Sequence, residues 1–249
     1  MAGKWALVTG SSRGFGRAIA LRLAAEGANI VVNYRRSRSE AEETAEAIRA
    51  KGAAALVIQA NVGDEADVAR LFAEIEQHCG GLSILVSNAA FGKLGPVMEA
   101  TDKHWNATFD VCAKALMWCA QRAVPLMERA GYGRIVSMTS QGSHRVIEGY
   151  GLVGPAKAAL ESLTRALAVE LAPKGITVNG IDAGTADTRS FRAIPGAEEH
   201  LQKAVAGTPM GRIVQTADVA DAVAFLCSNQ AKMICGHFLV VDGGASIVY

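Results

Sequence analysis

Short apolar runs rich in β-branched residues alternate along the chain with longer stretches of helical period. The runs are continuous in hydrophobicity, which is typical of strands buried on both faces of a parallel sheet. We predict strands at residues 5–9, 29–34, 54–59, 84–87, 134–138, 177–181 and 238–241. We predict helices at about residues 15–27, 38–51, 65–79, 101–129, 155–172 and 216–228. This alternation indicates βαβ units, and therefore an α/β fold with a parallel sheet covered by helices.

The regular alternation lapses at about residues 183–215, after the sixth predicted strand. A long excursion of this kind is usually a lid or a binding loop, and the alternative is a surface insertion. No linker-like or low-complexity segment divides the chain, and its 249 residues favour a single domain. We therefore predict one domain, residues 1–249, with a substrate-loop excursion.

Composition and charge narrow the class of protein. Half the residues are hydrophobic, and 25 Lys+Arg against 24 Asp+Glu leave a net charge of +1. These values fit a packed globule, whereas a general nucleic-acid binder carries strong positive charge. The five cysteines show neither a CxxC motif nor zinc spacing, so we predict no metal site and a reducing compartment. No run approaches the roughly 18 apolar residues that span a bilayer, so we expect a cytoplasmic protein without a membrane partner.

A glycine-rich turn follows the first predicted strand. The run TGSSRGFG, residues 9–16, places Gly10, Gly14 and Gly16 between that strand and the first helix. Glycine lets the backbone approach a ligand closely, and the helix N-terminus beyond it presents free N–H groups to a pyrophosphate. Because the turn stands between a strand and a helix, as the motif requires, we predict dinucleotide binding.

The end of the second predicted strand indicates which dinucleotide is bound. It reads Tyr34-Arg35-Arg36, without an acidic residue to bond the ribose 2′-hydroxyl of NAD. Arg35 and Arg36 offer charge-assisted hydrogen bonds to a 2′-phosphate, and Arg13 in the glycine-rich turn reaches the same group. The alternative is a solvated basic loop, since Arg38 continues the run. NADPH is the predicted cofactor.

Three motifs together resemble the short-chain dehydrogenase/reductase superfamily. They are TGSSRGFG near the start, SNAA at residues 87–90 and VDGG at residues 241–244. The resemblance covers the whole chain and implies a Rossmann-type doubly wound fold, with a seven-stranded parallel sheet and helices on both faces, assembled as a homotetramer. The runs NYRRSRSEAEETAEAI, QANVGD, SNAAFGKLGPVME and AKALMWCAQ are most similar to enoyl-acyl-carrier-protein reductase III, the FabL type.

The same resemblance implies which positions bind the cofactor. It places residues 61–62 at the adenine, residues 88–89 beside the nicotinamide ribose and residues 184–188 over the nicotinamide, with Lys157 on the ribose hydroxyls. The predicted cofactor-binding residues are Gly10, Ser12, Arg13, Gly14, Phe15, Gly16, Tyr34, Arg35, Arg36, Asn61, Val62, Asn88, Ala89, Ala90, Lys157, Gly184, Thr185 and Thr188.

The catalytic residues also follow from the resemblance. Most of the superfamily uses Ser, then Tyr about thirteen residues on, then Lys four residues after the Tyr. Ser140 and Lys157 fit that pattern, but Val153 stands where the Tyr belongs, and the phenol is instead at Tyr150. The resulting Tyr-x6-Lys spacing is similar to that of enoyl-acyl-carrier-protein reductases of the superfamily. An Asn that is common in the central helix of the superfamily is replaced by Cys112.

This spacing has a physical consequence. Seven residues of a regular helix advance about 10.5 Å, against about 6 Å for four residues. Moving the phenol one turn outward suits an oxygen that lies farther from the atom receiving hydride, as in an enoyl thioester. Because three glycines and Pro155 crowd residues 149–155, Tyr150 either continues the helix or lies on a turn before it. We expect the Lys157 ammonium to favour the Tyr150 phenolate.

The sequence therefore predicts an NADPH-dependent enoyl-thioester reductase that acts on an enoyl-acyl carrier protein or enoyl-CoA. One alternative is a ketoacyl or ketone reductase or hydroxy-dehydrogenase, which Ser140 and Lys157 fit and Val153 does not. Another is a weakly catalytic cofactor-binding sensor or scaffold, for which Cys112 is the argument. Four basic residues of the excursion would steer an acidic carrier protein: Arg189, Arg192, Lys203 and Arg212. Five apolar residues there would cover an acyl chain: Phe191, Ile194, Leu201, Val205 and Met210.

Overall fold

Seven parallel strands form one sheet in the computed structural model, which describes residues 1–192 and 196–248. The strands are β1 (Trp5–Val8), β2 (Asn29–Tyr34), β3 (Ala55–Gln59), β4 (Ile84–Ser87), β5 (Gly133–Ser140), β6 (Ile176–Ala183) and β7 (Phe238–Val241). Their order in the sheet is β3-β2-β1-β4-β5-β6-β7, so the direction of winding reverses between β1 and β4. The seven predicted strands are confirmed. β5 and β6 run longer than predicted, at eight residues each, because their polar ends still pair in register.

Helices cover both faces of this sheet. They are α1 (Gly14–Ala25), α2 (Arg38–Arg49), α3 (Glu65–Cys79), α4 (Asp102–Phe109), α5 (Ala115–Ala130), α6 (Val153–Leu171), α7 (Arg189–Arg192), α8 (Ala197–Gly207) and α9 (Thr216–Leu226). Apolar residues of α1, α2 and α9 form one core cluster with the sheet, and those of α3, α5 and α6 form a second. This arrangement confirms the Rossmann-type doubly wound fold. Within the described residues, no helix is both long enough and apolar enough to cross a membrane.

The helix predicted at residues 101–129 is divided in the structure. A π-helical turn, Asp110–Lys114, separates α4 from α5. Such a turn widens the helix locally and frequently occurs at functional sites. It buries Cys112 and Ala113. Apolar periodicity does not reveal a single turn of this kind, which is why one continuous helix was predicted.

The excursion after β6 is more regular than predicted. It contains α7 and α8, and an isolated bridge between Ala186 and Val214 joins its two ends. In α8, Leu201 is buried and Val205 follows four residues later, so the two share one face of the helix. This short apolar repeat is the helical signal that the sequence prediction passed over.

Candidate active site

The glycine-rich turn between β1 and α1 has backbone positions that exclude side chains. Gly10 and Gly14 have φ of +64° and +57°, a conformation that other residues rarely adopt. A Cβ at Gly16 would lie 2.4 Å from the carbonyl oxygen of Gly10. Arg13, at the N-cap of α1, makes no side-chain capping hydrogen bond. The first N–H groups of α1 are therefore available to a ligand, as a pyrophosphate requires.

Two asparagines hold this turn in place. The Gly10 N–H donates to Asn33 Oδ1 at 3.1 Å, and Asn33 Nδ2 donates to the carbonyl oxygen of Ala60 at 3.2 Å. Asn88 Nδ2 donates to the carbonyl oxygens of Thr9, at 2.8 Å, and Gly10, at 3.2 Å. Asn33 is absent from the predicted site, although a polar residue inside the apolar run NIVVNY is the signal that points to it. A buried amide there must find partners, and the glycine-rich turn supplies one.

The end of β2 carries positive charge without local compensation. Arg35 and Arg36 are both exposed, and neither takes part in an ion pair among the described residues. Arg13 lies on the same side, with its Nη1 3.6 Å from Glu40 Oε2. Tyr34, in contrast, is buried in the core at 6% exposure. Of the predicted run at residues 34–36, the two arginines are therefore the accessible members.

The remaining predicted cofactor positions lie where the carboxyl ends of the strands meet. The first turn of α1 carries Phe15, and the loops after β1, β3, β4 and β6 carry the others: Ser12, Asn61, Val62, Ala89, Ala90, Gly184, Thr185 and Thr188. The winding reverses between β1 and β4, and ligands of doubly wound sheets bind outside the strand ends at such a point. A Cβ at Gly14 would meet no atom within 4 Å, so the glycine-rich turn faces open space. The open turn, the uncapped helix and the accessible arginines fit a phosphorylated dinucleotide.

The three predicted catalytic residues come together at the carboxyl end of β5. Ser140 ends that strand, and its buried Oγ has no hydrogen-bond partner among the described residues. Lys157 Nζ, from α6, donates to the carbonyl oxygen of Met138 at 2.6 Å. The Tyr150 ring packs on Gly142, where an added Cβ would lie 2.7 Å from ring atom Cδ1. Lys157 therefore contacts Met138, two residues before Ser140, and Tyr150 contacts Gly142, two residues after it.

A turn that precedes α6 carries Tyr150. The helix begins at Val153, and Tyr150 forms an isolated parallel bridge with Gly95 in the loop after β4. The Gly95 N–H donates to the Gly149 carbonyl oxygen at 2.8 Å. A Cβ at Gly151 would lie 2.7 Å from the Gly95 carbonyl oxygen, so the two segments approach closely. Of the two placements considered for the phenol, the turn is the one observed, and regular helix geometry does not describe the Tyr-x6-Lys spacing.

The surroundings of this phenol act on its pKa in the direction opposite to the one expected. Burial, with a smaller contribution from the Cys112 thiol, raises the pKa of Tyr150 above its ordinary value of 10.0. The Lys157 ammonium is directed instead to the carbonyl oxygen of Met138. Lys157 does not lower the pKa of Tyr150 in this arrangement, so the expected preference for the phenolate stays a prediction. The raised pKa favours the protonated phenol, which can donate a hydrogen bond.

Packing fills the position that carries the phenol in most of the superfamily. Val153 contacts the loop after β4 so closely that a Cβ at Gly92 would lie 2.4 Å from Val153 Cγ2. Cys112, on the π-helical turn, is 3% exposed, and its thiol donates to the carbonyl oxygen of Phe91 at 3.2 Å. Both residues hold the same loop, and a thiol is a weak hydrogen-bonding group. Neither residue replaces the Tyr150 hydroxyl as a strong donor.

A cluster of polar residues lies beyond Ser140, toward β7. It consists of Gln141, His144, Asp182 and Asp242, and we call it the β7-side polar cluster. Gln141 Nε2 donates to Asp242 Oδ2 at 3.0 Å, and both residues line a cavity of about 230 Å³ beside α8. Asp182 on β6 is 3% exposed, and His144 Nδ1 lies 3.9 Å from Asp182 Oδ2. Burial raises the pKa of Asp182 to about 6. No pattern in the sequence joins these residues, because they come from separate strands and loops.

The four basic residues of the excursion form ion pairs with carboxylates of the same chain. Each lies within 2.7 Å of a carboxylate: Arg189 of Glu40, Arg192 of Asp187, Lys203 of Glu199 and Arg212 of Asp218. Their attraction for an acidic carrier protein is correspondingly reduced, which weakens that prediction. Of the apolar set, Leu201 is buried and Met210 is 70% exposed, while Ile194 lies outside the described residues.

The chain is similar to known enzymes over nearly its whole length. A family model described as Enoyl-(Acyl carrier protein) reductase matches residues 10–246. The 3-oxoacyl-[acyl-carrier-protein] reductase FabG of Staphylococcus aureus is 38% identical over 246 residues, which cover 97% of each chain. The 1-cyclohexenylcarbonyl-CoA reductase of Streptomyces collinus is 38% identical over 244 residues, which cover 97% of this chain and 86% of that one.

A solved structure extends the similarity to the three-dimensional fold. The 7α-hydroxysteroid dehydrogenase complexed with NADH and 7-oxo glycochenodeoxycholic acid matches with a TM-score of 0.92 and 30% identity, over 98% of this chain and 94% of that one. The motifs TGSSRGFG, SNAA and VDGG lie at the ends of β1, β4 and β7, at the carboxyl edge of the sheet. This chain belongs to the short-chain dehydrogenase/reductase superfamily, as an oxidoreductase with a nicotinamide cofactor.

Proposed function

We propose that this protein reduces the 2,3 double bond of 2-enoyl thioesters with NADPH. The observation that carries the proposal is the position of the phenol. Tyr150 packs on Gly142 beside the end of β5, while Val153 fills the position four residues before Lys157. The pattern that most of the superfamily uses requires a hydroxyl at that position, and Val153 has none. This placement supports a phenol that enters the site from the turn before α6.

The residues around Ser140 have distinct roles in this reaction. When bound, the nicotinamide would supply a hydride for the β-carbon of the acyl chain, and the α-carbon would then take a proton from solvent to give the saturated thioester. The Tyr150 hydroxyl donates a hydrogen bond to the thioester oxygen, on which negative charge develops. Because burial raises the pKa of Tyr150, this hydroxyl keeps its proton at neutral pH. Ser140 Oγ, which is buried without a partner among the described residues, serves as a second donor, and Lys157 holds the ribose hydroxyls.

The preference for NADPH rests on the loop after β2. Arg35 and Arg36 are exposed there and make no ion pairs with the described residues. A 2′-phosphate offers oxygen atoms that two guanidinium groups bind through charge-assisted hydrogen bonds. NADH has no such group, so the charge of these two residues would remain uncompensated with NADH.

Two of the comparisons support an unsaturated thioester as substrate. The matching family model is described as Enoyl-(Acyl carrier protein) reductase. The relative from Streptomyces collinus is named for a 1-cyclohexenylcarbonyl thioester, in which the double bond is conjugated to the thioester carbonyl.

A second candidate function is reduction of a 3-oxoacyl thioester or another ketone. The name of the Staphylococcus aureus relative and the 7-oxo ligand of the matched dehydrogenase structure favour it, and the relatives taken together fit it better than enoyl reduction. Ser140 and Lys157 would serve this reaction equally well. Val153, in the place of the usual phenol, is the observation against it.

Paired substrate assays distinguish the two functions. The protein is incubated with a trans-2-enoyl thioester or a 3-oxoacyl thioester of equal chain length, each carried on coenzyme A or acyl carrier protein. Loss of NADPH absorbance is followed, and each assay is repeated with NADH. We expect turnover of the enoyl substrate with a preference for NADPH. Turnover of the 3-oxoacyl substrate alone would establish the second candidate, and NADPH binding without turnover would indicate a sensor or scaffold.

A further inference from the structure

The start of the excursion crosses the edge of the sheet where the cofactor is proposed to bind. It leaves β6, yet Arg189 reaches Glu40 of α2, the helix that follows β2. In the strand order, β6 lies four strands from β2, a distance of about 19 Å at about 4.8 Å per strand. Residues 184–189 span at most about 20 Å, and Ala186 still pairs with Val214 before α9. The segment therefore runs from β6 toward α2, and the Arg189 and Glu40 side chains complete the span. We call residues 184–189 the crossing segment.

Glu40 contacts two arginines that come from opposite ends of this path. Its Oε1 accepts a hydrogen bond from Arg189 Nη1 at 2.6 Å. Its Oε2 lies 3.6 Å from Arg13 Nη1 in the glycine-rich turn, which is close enough for an ion pair but too far for a hydrogen bond. Oε2 is buried and has no hydrogen-bond partner among the described residues. Glu40 therefore accepts a hydrogen bond from Arg189, whereas it holds Arg13 by an ion pair alone.

We propose that Glu40 is a positioning residue that retains the cofactor. Its carboxylate holds Arg189 against α2, which keeps the crossing segment over the bound nucleotide, and it directs Arg13 toward the 2′-phosphate. The proposal rests on the proposed binding of NADPH and adds a role for residues that do not themselves carry out the chemistry.

The two contacts of Glu40 predict different dependences on the nucleotide. The Arg189 contact acts on the crossing segment, so it retains NADPH and NADH equally. The Arg13 contact acts on a guanidinium that pairs with the 2′-phosphate, so it contributes with NADPH alone. Arg189 is 68% exposed at its side chain, so water screens its ion pair, and each contact is expected to change dissociation by a few fold.

Nucleotide dissociation rates, measured by stopped-flow displacement, test this proposal. We expect Arg189→Gln to release both nucleotides about two- to fivefold faster. Glu40→Gln should match it with NADH and exceed it with NADPH. The double variant should release NADH no faster than either single variant, because both changes break one contact. The matched control is Glu42→Gln, on the same helix, whose carboxylate pairs with Arg38 at 3.7 Å.

Several outcomes would overturn the proposal. They are unchanged or slower NADPH release from Glu40→Gln, additive effects in the double variant, or an equal effect of Glu42→Gln. Since the assay needs no turnover, its failure is separable from failure of the proposed function. A wild-type protein that binds NADPH, with Glu40→Gln unchanged, would overturn this inference alone. A wild-type protein that binds neither nucleotide would overturn both.

Discussion

The cofactor side of this molecule and its catalytic turn are built in different ways. On the cofactor side, backbone conformation decides the geometry: Gly10 and Gly14 take positive φ, and buried amides such as Asn33 hold the turn. At the catalytic turn, the decisive group is a side chain. Tyr150 is placed by a bridge to Gly95, which belongs to a different loop.

This difference explains why one region follows the common pattern of the superfamily and the other departs from it. Each glycine of this turn is required for its own reason: Gly10 and Gly14 because of their positive φ, and Gly16 because a Cβ there would meet the Gly10 carbonyl oxygen. A phenol can reach the same space from more than one position of a neighbouring turn, provided that another loop supports it. The catalytic side is therefore the place where substrate class can change while the cofactor site stays the same.

Removal of the Tyr150 hydroxyl should lower turnover without changing cofactor binding. Tyr150→Phe keeps the ring on Gly142 but removes the donor, so we expect kcat with a 2-enoyl thioester to fall about 100-fold or more. Affinity for NADPH should stay unchanged, as measured by fluorescence titration. The matched control is Tyr132→Phe, whose hydroxyl donates to the carbonyl oxygen of Cys227 at 2.6 Å. An equal loss in the control, or none in Tyr150→Phe, would remove Tyr150 from the mechanism.

Addition of a methyl group at Gly16 should weaken cofactor binding. In Gly16→Ala, the Cβ would lie 2.4 Å from the Gly10 carbonyl oxygen and 2.6 Å from Asn88 Nδ2. Overpacking of this kind costs about 1–3 kcal/mol, so we expect the Kd for NADPH to rise about tenfold or more. Gly81→Ala is the control, because a Cβ at Gly81 meets no atom within 4 Å. Titration of both variants with NADPH that gave equal affinities would contradict the backbone-built account.

The positive charge of Arg35 and Arg36 after β2 should decide the preference for NADPH over NADH. Replacing Arg35 and Arg36 together with alanine should lower the preference for NADPH over NADH about tenfold, because two charge-assisted bonds to the 2′-phosphate are lost. The ratio of kcat/KM for the two nucleotides measures this. Arg38→Ala, in the same run but paired with Glu42, should leave the ratio nearly unchanged. An unaltered ratio in the double variant would identify the arginines as a solvated basic loop.

The stability of the protein, rather than its turnover, should report on Asp182 in the β7-side polar cluster. Burial raises the pKa of Asp182 to about 6, above its unfolded value near 4, so the folded protein holds this proton more tightly. The wild type should therefore lose stability as pH rises from about 4 to about 6, and this loss persists above pH 6. Asp182→Asn cannot ionise, so its Tm should exceed that of the wild type by a few degrees at pH 7.

Thermal unfolding of both proteins across this pH range checks the prediction. The difference in Tm between Asp182→Asn and the wild type should close toward pH 4, where the wild-type carboxyl group is protonated in both states. A constant difference at every pH would mean that the substitution acts through packing instead of charge.

Local patterns predicted the parts of the molecule that depend on local physics. The apolar runs fixed the seven strands, and the glycine spacing located the cofactor turn, because both follow from neighbouring residues. The same reasoning missed Asn33, whose partners lie in other strands, and the π-helical turn at Cys112. It singled out Tyr150 but left its placement open, and it expected Lys157 rather than burial to act on the pKa of the phenol. Burial and the bridge to Gly95, which decide both, arise from contacts between distant segments.

One competition experiment distinguishes enoyl reduction from ketone reduction in a single reaction mixture. The protein receives equal concentrations of a 2-enoyl and a 3-oxoacyl thioester of one chain length, together with NADPH deuterated at C4 of the nicotinamide. Mass spectrometry then locates the deuterium in the products. We expect a saturated acyl thioester labelled at its β-carbon. A labelled 3-hydroxyacyl thioester as the main product would contradict it and assign the protein to ketone reduction.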